Sequence, residues 1–380
     1  MATMKPDTAI ADRPEVTYLS MLWQTPARSM GGVHGGENSS TDGGLVVLYT
    51  GPYRPGNGGF SAGRYMVYDA ASSSVDRSPR SSTINGLGRP GAGSSTINGL
   101  GRTAAILRHG GGGEGAYLLA ELVTTHDRVL PDAELYLWWS SPSAADPGGQ
   151  WTPRTVCLPL PPQLCGPTYL FEVDVAFSFA GCRVCWVDLF AGVMVCDLLA
   201  PGGPEFSVVP LPEGCAVDLP IPYNRVGVPE QLRSMGCVRG AIKFVCKDGA
   251  TLKTWALSPD LNEWNETAAL RVEDLWASES FRVMELPRIT PAFPVLSAHE
   301  DGVVYVAMND IKDDVDEFED DVDELGVELF PELKARYALR LDMLQNKVLS
   351  FTKSSKNSWE WLTPSLLASE FSAYLQGPEE

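Results

Sequence analysis

Apolar residues in this chain come in short runs broken by turn residues, with few long stretches of helical period. The densest pair is Val184 to Phe190 and Val193 to Leu199, rich in β-branched and aromatic residues and separated by Ala191 and Gly192. Two strand-like runs flanking such a short gap predict a β-hairpin with Ala191-Gly192 as its turn. Strand alternation puts Trp186, Asp188 and Phe190 on one face and Cys185, Val187 and Leu189 on the other. Both faces are mostly apolar, which predicts a hairpin buried on both sides between stacked sheets.

Four more pairs follow the same pattern: Leu45 to Tyr49 with Arg64 to Asp69, Ala116 to Leu122 with Glu134 to Trp139, Ala241 to Cys246 with Thr251 to Leu257, and Gly302 to Met308 with Tyr337 to Met343. They recur at intervals of roughly 55 to 70 residues, longer than the usual blade repeat of about 40 to 50. After the second strand of several pairs comes a bulky residue, namely Trp151, Phe206, Trp264 or Phe351. A large side chain there would fill the gap between neighbouring four-stranded sheets. The fold class expected is all-β, a β-propeller-like repeat of antiparallel sheets with about five to seven blades. A pair of β-sandwiches is the alternative that short strands alone leave open.

Around that repeat, residues 1–44 read as a largely disordered N-terminal segment and 45–362 as the propeller-like domain. Within it, 70–113 is a low-complexity loop and 309–326 an acidic insertion. The loop holds an identical repeat, Ser81 to Arg89 and Ser94 to Arg102, too short to carry a core. Helices are sparse. Val272 to Ser278 reads as one or two turns, Pro331 as a start before Ala335, and 363–376 as a short C-terminal helix with Thr363 at its N-cap and Pro364 following.

Charge narrows the partners. The net charge is −19, and no basic stripe is present to displace counterions from a phosphate backbone, so nucleic acid is not expected. Asp310 to Glu324 contributes ten acidic residues against Lys312, a local charge of −9. Such a run reads as a solvated insertion between two strands, with docking of a basic protein partner as the functional alternative. No apolar run approaches the roughly 20 residues of a membrane span, so no membrane association and a cytoplasmic or nuclear location are expected. Eight cysteines without a secretory signal read as free, mostly buried thiols.

Candidate chemistry is thin. Gly59-Phe60-Ser61-Ala62-Gly63 fits the spacing of a nucleophile elbow but lacks a strand before and a helix after it, and only His34, His109, His126 and His299 are available as bases. Gly86 to Gly91 fits a dinucleotide-loop spacing, yet Pro90 and the absence of a following helix remove the donors that would hold a pyrophosphate. The Gly110 to Gly113 run lacks the Lys-Ser/Thr of a phosphate loop. Cys182 and Cys185 have zinc-like spacing, with Cys196 as a third ligand at best; buried strand cysteines are the plainer reading. Asp188 and Asp197 would share one face of the hairpin if Ala191 and Gly192 form its turn, which is the paired-carboxylate arrangement of glycoside hydrolysis. Aspartates of propellers otherwise hydrogen-bond backbone N–H groups in turns. The sequence therefore assigns no catalytic, cofactor-binding or metal-ligating residue.

Three stretches carry a family resemblance: Trp186 to Asp197, Phe206 to Pro212, and Phe293 to Tyr305. They resemble the plant family called domain of unknown function 1618, which the chain resembles over roughly Ala116 to Met343. The resemblance implies a land-plant source, a grass, and implies no activity. Fold and resemblance together lead to a non-catalytic, intracellular protein-interaction scaffold. A propeller-type carbohydrate hydrolase using Asp188 and Asp197 stands as the rival.

Overall fold

A computed structural model describes residues 4–9, 18–23, 36–50, 64–70, 72, 74–77, 104–108, 116–124, 131–141, 149, 151–165, 171–215, 229–311 and 333–354. Strands β1 (Met4–Ala9) and β2 (Tyr18–Trp23) pair as an antiparallel hairpin. The strands that follow form five four-stranded antiparallel sheets, the blades of a β-propeller, each built from consecutive strands.

Blade 1 is β3 (Gly36–Asp42), β4 (Leu45–Thr50), β5 (Arg64–Asp69) and β6 (Ser74–Arg77). Blade 2 is β7 (Ala104–Arg108), β8 (Tyr117–Val123), β9 (Asp132–Trp139) and β10 (Trp151–Cys157). Blade 3 is β11 (Val175–Phe179), β12 (Arg183–Asp188), β13 (Gly192–Asp197) and β14 (Glu205–Pro210). Blade 4 is β15 (Arg233–Val238), β16 (Ala241–Asp248), β17 (Thr251–Leu257) and β18 (Trp264–Arg271). Blade 5 is β19 (Ala292–Leu296), β20 (Val303–Ile311), β21 (Leu333–Asp342) and β22 (Lys347–Ser354). First strands of successive blades touch, β3 with β7, β7 with β11, β11 with β15 and β15 with β19, which places them innermost; β3 also reaches β11.

All five expected strand pairs form, as β4–β5, β8–β9, β12–β13, β16–β17 and β20–β21. Each is the middle of its blade, and apolar contact on both faces is why these pairs are the most legible. Strands β3 and β6 are the poorest in apolar residues and form by pairing onto those middles. Strands β1, β2 and β3 lie inside the segment expected to be largely disordered, and β6 and β7 inside the segment read as a low-complexity loop. Gly36–Asp42 is all polar or glycine, so its strand owes nothing to local propensity and depends on its ladder with β4. Ala335, expected to lie just after the start of a helix, sits in β21. The short helix α1 (Val272–Ala277) appears where expected and leads into α2 (Glu279–Val283), capped by Ser278 Oγ, which accepts from the Phe281 N–H. The 363–376 helix lies outside the described residues.

Apolar burial joins the blades pairwise. Between blades 1 and 2, Trp151 meets Tyr65 with ring centroids 5.7 Å apart, among Val47, Val67, Leu119 and Trp138. Between blades 2 and 3, Phe206 stacks on the fully buried Trp186 at 6.4 Å, against Leu118, Leu135 and Phe171. Between blades 3 and 4, Phe244 lies 6.2 Å from Trp264, whose indole N–H donates to the Pro210 carbonyl at 2.8 Å. Between blades 4 and 5, Phe351 joins Leu275 and Phe281 of the helices, and Val348 N–H donates to Ser280 Oγ at 2.9 Å. The four bulky residues singled out from the sequence therefore all pack at junctions between blades.

The β12–β13 register sets the hairpin turn. Asp188 pairs with Gly192 and Arg183 with Asp197, so the turn is Leu189, Phe190 and Ala191, which starts two residues before Ala191-Gly192 and is one residue longer. Gly192 is required because a Cβ there would stand 2.3 Å from the Val209 carbonyl oxygen on β14. A backbone atom cannot give way as a flexible side chain would. Tight turns at the other end of the blades use positive φ: Arg239 and Gly240, at 50° and 78°, make the two-residue β15–β16 turn. There blade 4 is tied to blade 5, since Asp301 pairs with Lys243 and lies 3.6 Å from Arg239.

Gly192→Ala is expected to lower unfolding free energy by about 1–3 kcal/mol, the cost of forcing a backbone apart in a packed sheet, as read from the midpoint of urea denaturation. The Lys243 hydrogen bond first, and then the two cations, hold the Asp301 carboxyl below the ordinary range. A depressed carboxyl stabilises the fold above its unfolded pKa of about 3.9 and loses that contribution as pH falls through its folded value. Asp301 is more than half exposed. Asp301→Asn is therefore expected to cost only about 0.5 kcal/mol at neutral pH. Urea midpoints of variant and wild type should begin to converge below about pH 4 and meet once the pH is below the folded pKa of Asp301, and a gap that persisted there would rule out the ion pair as its source.

Candidate functional site

The four-strand order sorts the connections by face. Turns between first and second and between third and fourth strands leave one face, and most are tight, as at Gly43-Gly44, Ala180 to Cys182, Arg239-Gly240 and Met343 to Asn346. Turns between second and third strands, together with the links between blades, leave the other. That face receives 51–63, 78–103, 158–174, 211–232, 272–291 and 312–332. Long connections on one end of a rigid scaffold are where binding residues concentrate. It is termed the insertion face below.

The best-ordered group on this face surrounds the β12–β13 turn. Asp188, at the end of β12, is fully buried. Its Oδ1 accepts from Phe190 N–H at 2.9 Å and its Oδ2 from Glu172 N–H at 3.0 Å. Asp174, just before β11, accepts from Leu189 N–H at 2.7 Å. From blade 4, Arg233 donates to the Leu189 carbonyl at 2.9 Å and places its guanidinium 5.5 Å from the Phe190 ring centroid. Two carboxylates and a guanidinium thus fasten one three-residue turn to the strand before it and the blade after it. Asp174 and Arg233 carry no local signal in the sequence, because they meet the turn only through tertiary pairing.

Asp197 does not join Asp188, contrary to the shared face expected from a two-residue turn. Residues paired across the ladder share a face, so Asp188 goes with Gly192, and Asp197 goes with Arg183 at the far end and on the opposite face. Arg183 and Asp188 are separated along the strand by about 16 Å at the usual rise. Glycoside hydrolysis needs carboxyl groups roughly 5 to 9.5 Å apart. Asp197 instead accepts from Leu199 N–H at 3.1 Å and faces Arg183 at 4.0 Å.

The cysteines are similarly dispersed. Cys185 packs with Val187 and Val195 toward blade 4, Cys196 packs toward blade 2, and Cys182 sits in a turn with its thiol 3.9 Å from Asp197. Cys185 and Cys196 therefore occupy opposite faces of one sheet and cannot converge with Cys182 on one ion. Burial pushes the Cys185 thiol well up, and raises Cys196 to about 12 with help from Asp197. Neither is a ready nucleophile at neutral pH.

Residues 59–63, 86–91 and 110–113, with His34, His109 and His126, lie outside the described residues. His299 lies in the 297–302 turn of the opposite face. Of the acidic run, Asp310 pairs with Ala335 and Ile311 with Leu333 across a register shift. Residues 312–332, which join β20 to β21, lie outside the described residues but depart from the insertion face. Among the described residues no helix is long and apolar enough to cross a membrane.

Solved structures similar to the chain include a protein from Lactobacillus plantarum, with 9% identity over 82% of this chain and 66% of that one at a TM-score of 0.35. Apo AztD from Citrobacter koseri matches with 10% identity over 94% of this chain and 84% of that one at a TM-score of 0.34. Zg3597, a family 117 glycoside hydrolase from Zobellia galactanivorans, matches with 12% identity over 73% and 78% at 0.33. The chain spans about two thirds of the length of the first of these. Scores this low carry no argument, and the propeller assignment rests on the five sheets themselves. No curated protein matches the sequence. The stretch of residues 186–305, from the middle of blade 3 into blade 5, matches the family described as Protein of unknown function (DUF1618).

Proposed function

We propose that the chain is a non-catalytic interaction scaffold, intracellular and either cytoplasmic or nuclear, which presents its insertion face to a protein partner. The observation that carries this reading is the segregation of long connections to one face of a five-bladed scaffold whose opposite face is closed mostly by short turns. The acidic run leaves from that same face, so a basic partner is the class its charge would recognise and steer. The hydrolase reading loses its support, because it needs Asp188 and Asp197 together and the ladder register parts them. Asp188 is instead an anchor for the β12–β13 turn.

Two measurements test this. The wild-type chain and a variant with the acids of 310–324 changed to Asn and Gln are used to capture partners from grass-cell extract, the source that the family resemblance implies. A defined partner should be captured by the wild type, released by raised salt, and lost with the variant. The same partner held equally by both chains would remove the acidic run from the contact. Separately, Asp188→Asn replaces an acceptor oxygen by an NH2 that opposes a buried backbone N–H. It is expected to destabilise the fold by about 1–3 kcal/mol in urea denaturation while capture by the folded fraction persists. An unchanged midpoint would show that Asp188 does not hold the turn.

A further inference from the structure

The junctions around the ring do not match one another. Each blade is made of four consecutive strands, so among the described residues no blade combines the start of the chain with its end. Ring closure then depends on the surfaces that blades 5 and 1 turn toward each other, and the register fixes both. In β20, Val304, Val306 and Met308 pack toward blade 4. Alternation turns Tyr305 and Asn309 the other way, and their ladder partners Arg340 and Arg336 on β21 share that face with Ser350 of β22. Val303 and Ala307 lie there too, so the surface is mixed rather than apolar. On it Asn309 Oδ1 is buried with no hydrogen-bond partner among the described residues, and Arg340 bonds to Glu300 of its own blade. Blade 1 offers the opposite chemistry. Leu45, Val47, Tyr65 and Val67 pack toward blade 2, which leaves Val46, Leu48, Met66 and Tyr68 on the face toward blade 5, all of them buried.

We propose that the junction of blades 5 and 1 is a seam, at which the ring opens ahead of global unfolding. At the four other junctions apolar side chains meet from both sides around Trp151, Phe206, Trp264 or Phe351. Such contact gains from every apolar group removed from water. At the seam the apolar face of blade 1 is set against guanidinium and amide groups, and covering a polar group gains nothing unless its hydrogen bonds are replaced. Water entering there gives Asn309 Oδ1 a donor. The inner strands part at the same place: β3 packs on β7 and β11, whereas β19 packs on β15. Opening therefore costs least between blades 5 and 1, as a local event short of unfolding the whole chain. Segments 51–63 and 312–332 leave the insertion face from the two blades that border the seam, so opening changes the spacing between them.

Val46 and Val47 are neighbours in β4, 2% and 0% exposed, and differ in the junction they face. Val46→Cys and Val47→Cys therefore make the same change on opposite sides of one strand. The full-length variants are exposed to a thiol-alkylating reagent in native buffer, and labelling at each new cysteine is followed by peptide mass spectrometry, which separates it from the eight natural ones. Position 46 should label at least about tenfold faster than position 47, and its rate should rise less steeply with urea, because opening the seam exposes less surface than unfolding. Equal rates, or faster labelling at 47, would overturn the seam. Where either variant fails to fold, Met66→Cys and Val67→Cys on β5, at positions 1% and 2% exposed, repeat the comparison. Asn309→Leu in the Val46→Cys chain tests the other side of the junction: an apolar side chain of similar size should slow labelling at 46 by about threefold. An unchanged rate would show that blade 5 does not cover that face, and the seam would be withdrawn.

Discussion

The structure depends on one requirement, that a sheet apolar on both faces must be covered on both. Blade 3 states it most plainly. Val184, Trp186, Met194 and Cys196 pack toward blade 2, while Cys185, Val187, Val193 and Val195 pack toward blade 4. Fully burying side chains of this kind is worth roughly 1.5–3 kcal/mol each. A four-stranded sheet with two such faces has no stable existence alone in water, so the blades fold as partners in a stack. The large aromatic on the outer strands of blades 2 to 5 widens the contact between neighbouring blades.

That requirement dictates where polar groups are allowed. A fully buried carboxylate such as Asp188 is tolerable only because backbone N–H groups on two sides donate hydrogen bonds to it. Its role follows from those bonds: it fixes a turn. The ion pair that joins blades 4 and 5, Asp301 with Lys243, and the pair within blade 5, Arg340 with Glu300, sit at the tight-turn end, where water still reaches at least one partner. The interior is thus committed to packing. Variation in length and charge is displaced to the connections, and the antiparallel order delivers most of the long ones to a single face.

The same requirement explains how much could be read from the sequence. Middle strands such as Val184–Asp188 and Gly192–Asp197 announce themselves, because both faces must be apolar. Trp151, Phe206, Trp264 and Phe351 were legible because large residues at a fixed place in each repeat have one use. Strand β3 was not legible, since Gly36–Asp42 has no apolar residue and its partner supplies the reason to extend. The turn at 189–191 starts two residues before the expected one, which shifts the ladder register by three, and an odd shift moves Asp197 to the other face, as a period of two requires. No sequence pattern marks Asp174 or Arg233 as a partner of the β12–β13 turn, for each contact crosses between elements that only the fold brings together.

The acidic run shows how the scaffold accommodates charge that it cannot bury. In β20 the residues toward blade 4, Val304, Val306 and Met308, remain apolar up to Met308, and the acids begin at Asp310. The ladder with β21 shifts register between Asp310 and Ile311, at the point where the charge starts. A bulge bends a strand and ends regular pairing. Continued pairing would have set carboxylates into a sheet whose faces are meant for neighbours, at a desolvation cost; the cations that β21 pairs with β20, Arg336 and Arg340, stand opposite Asn309 and Tyr305, before the acids begin. The chain therefore leaves the blade where burial stops being affordable, and it leaves toward the face that already carries the other long connections.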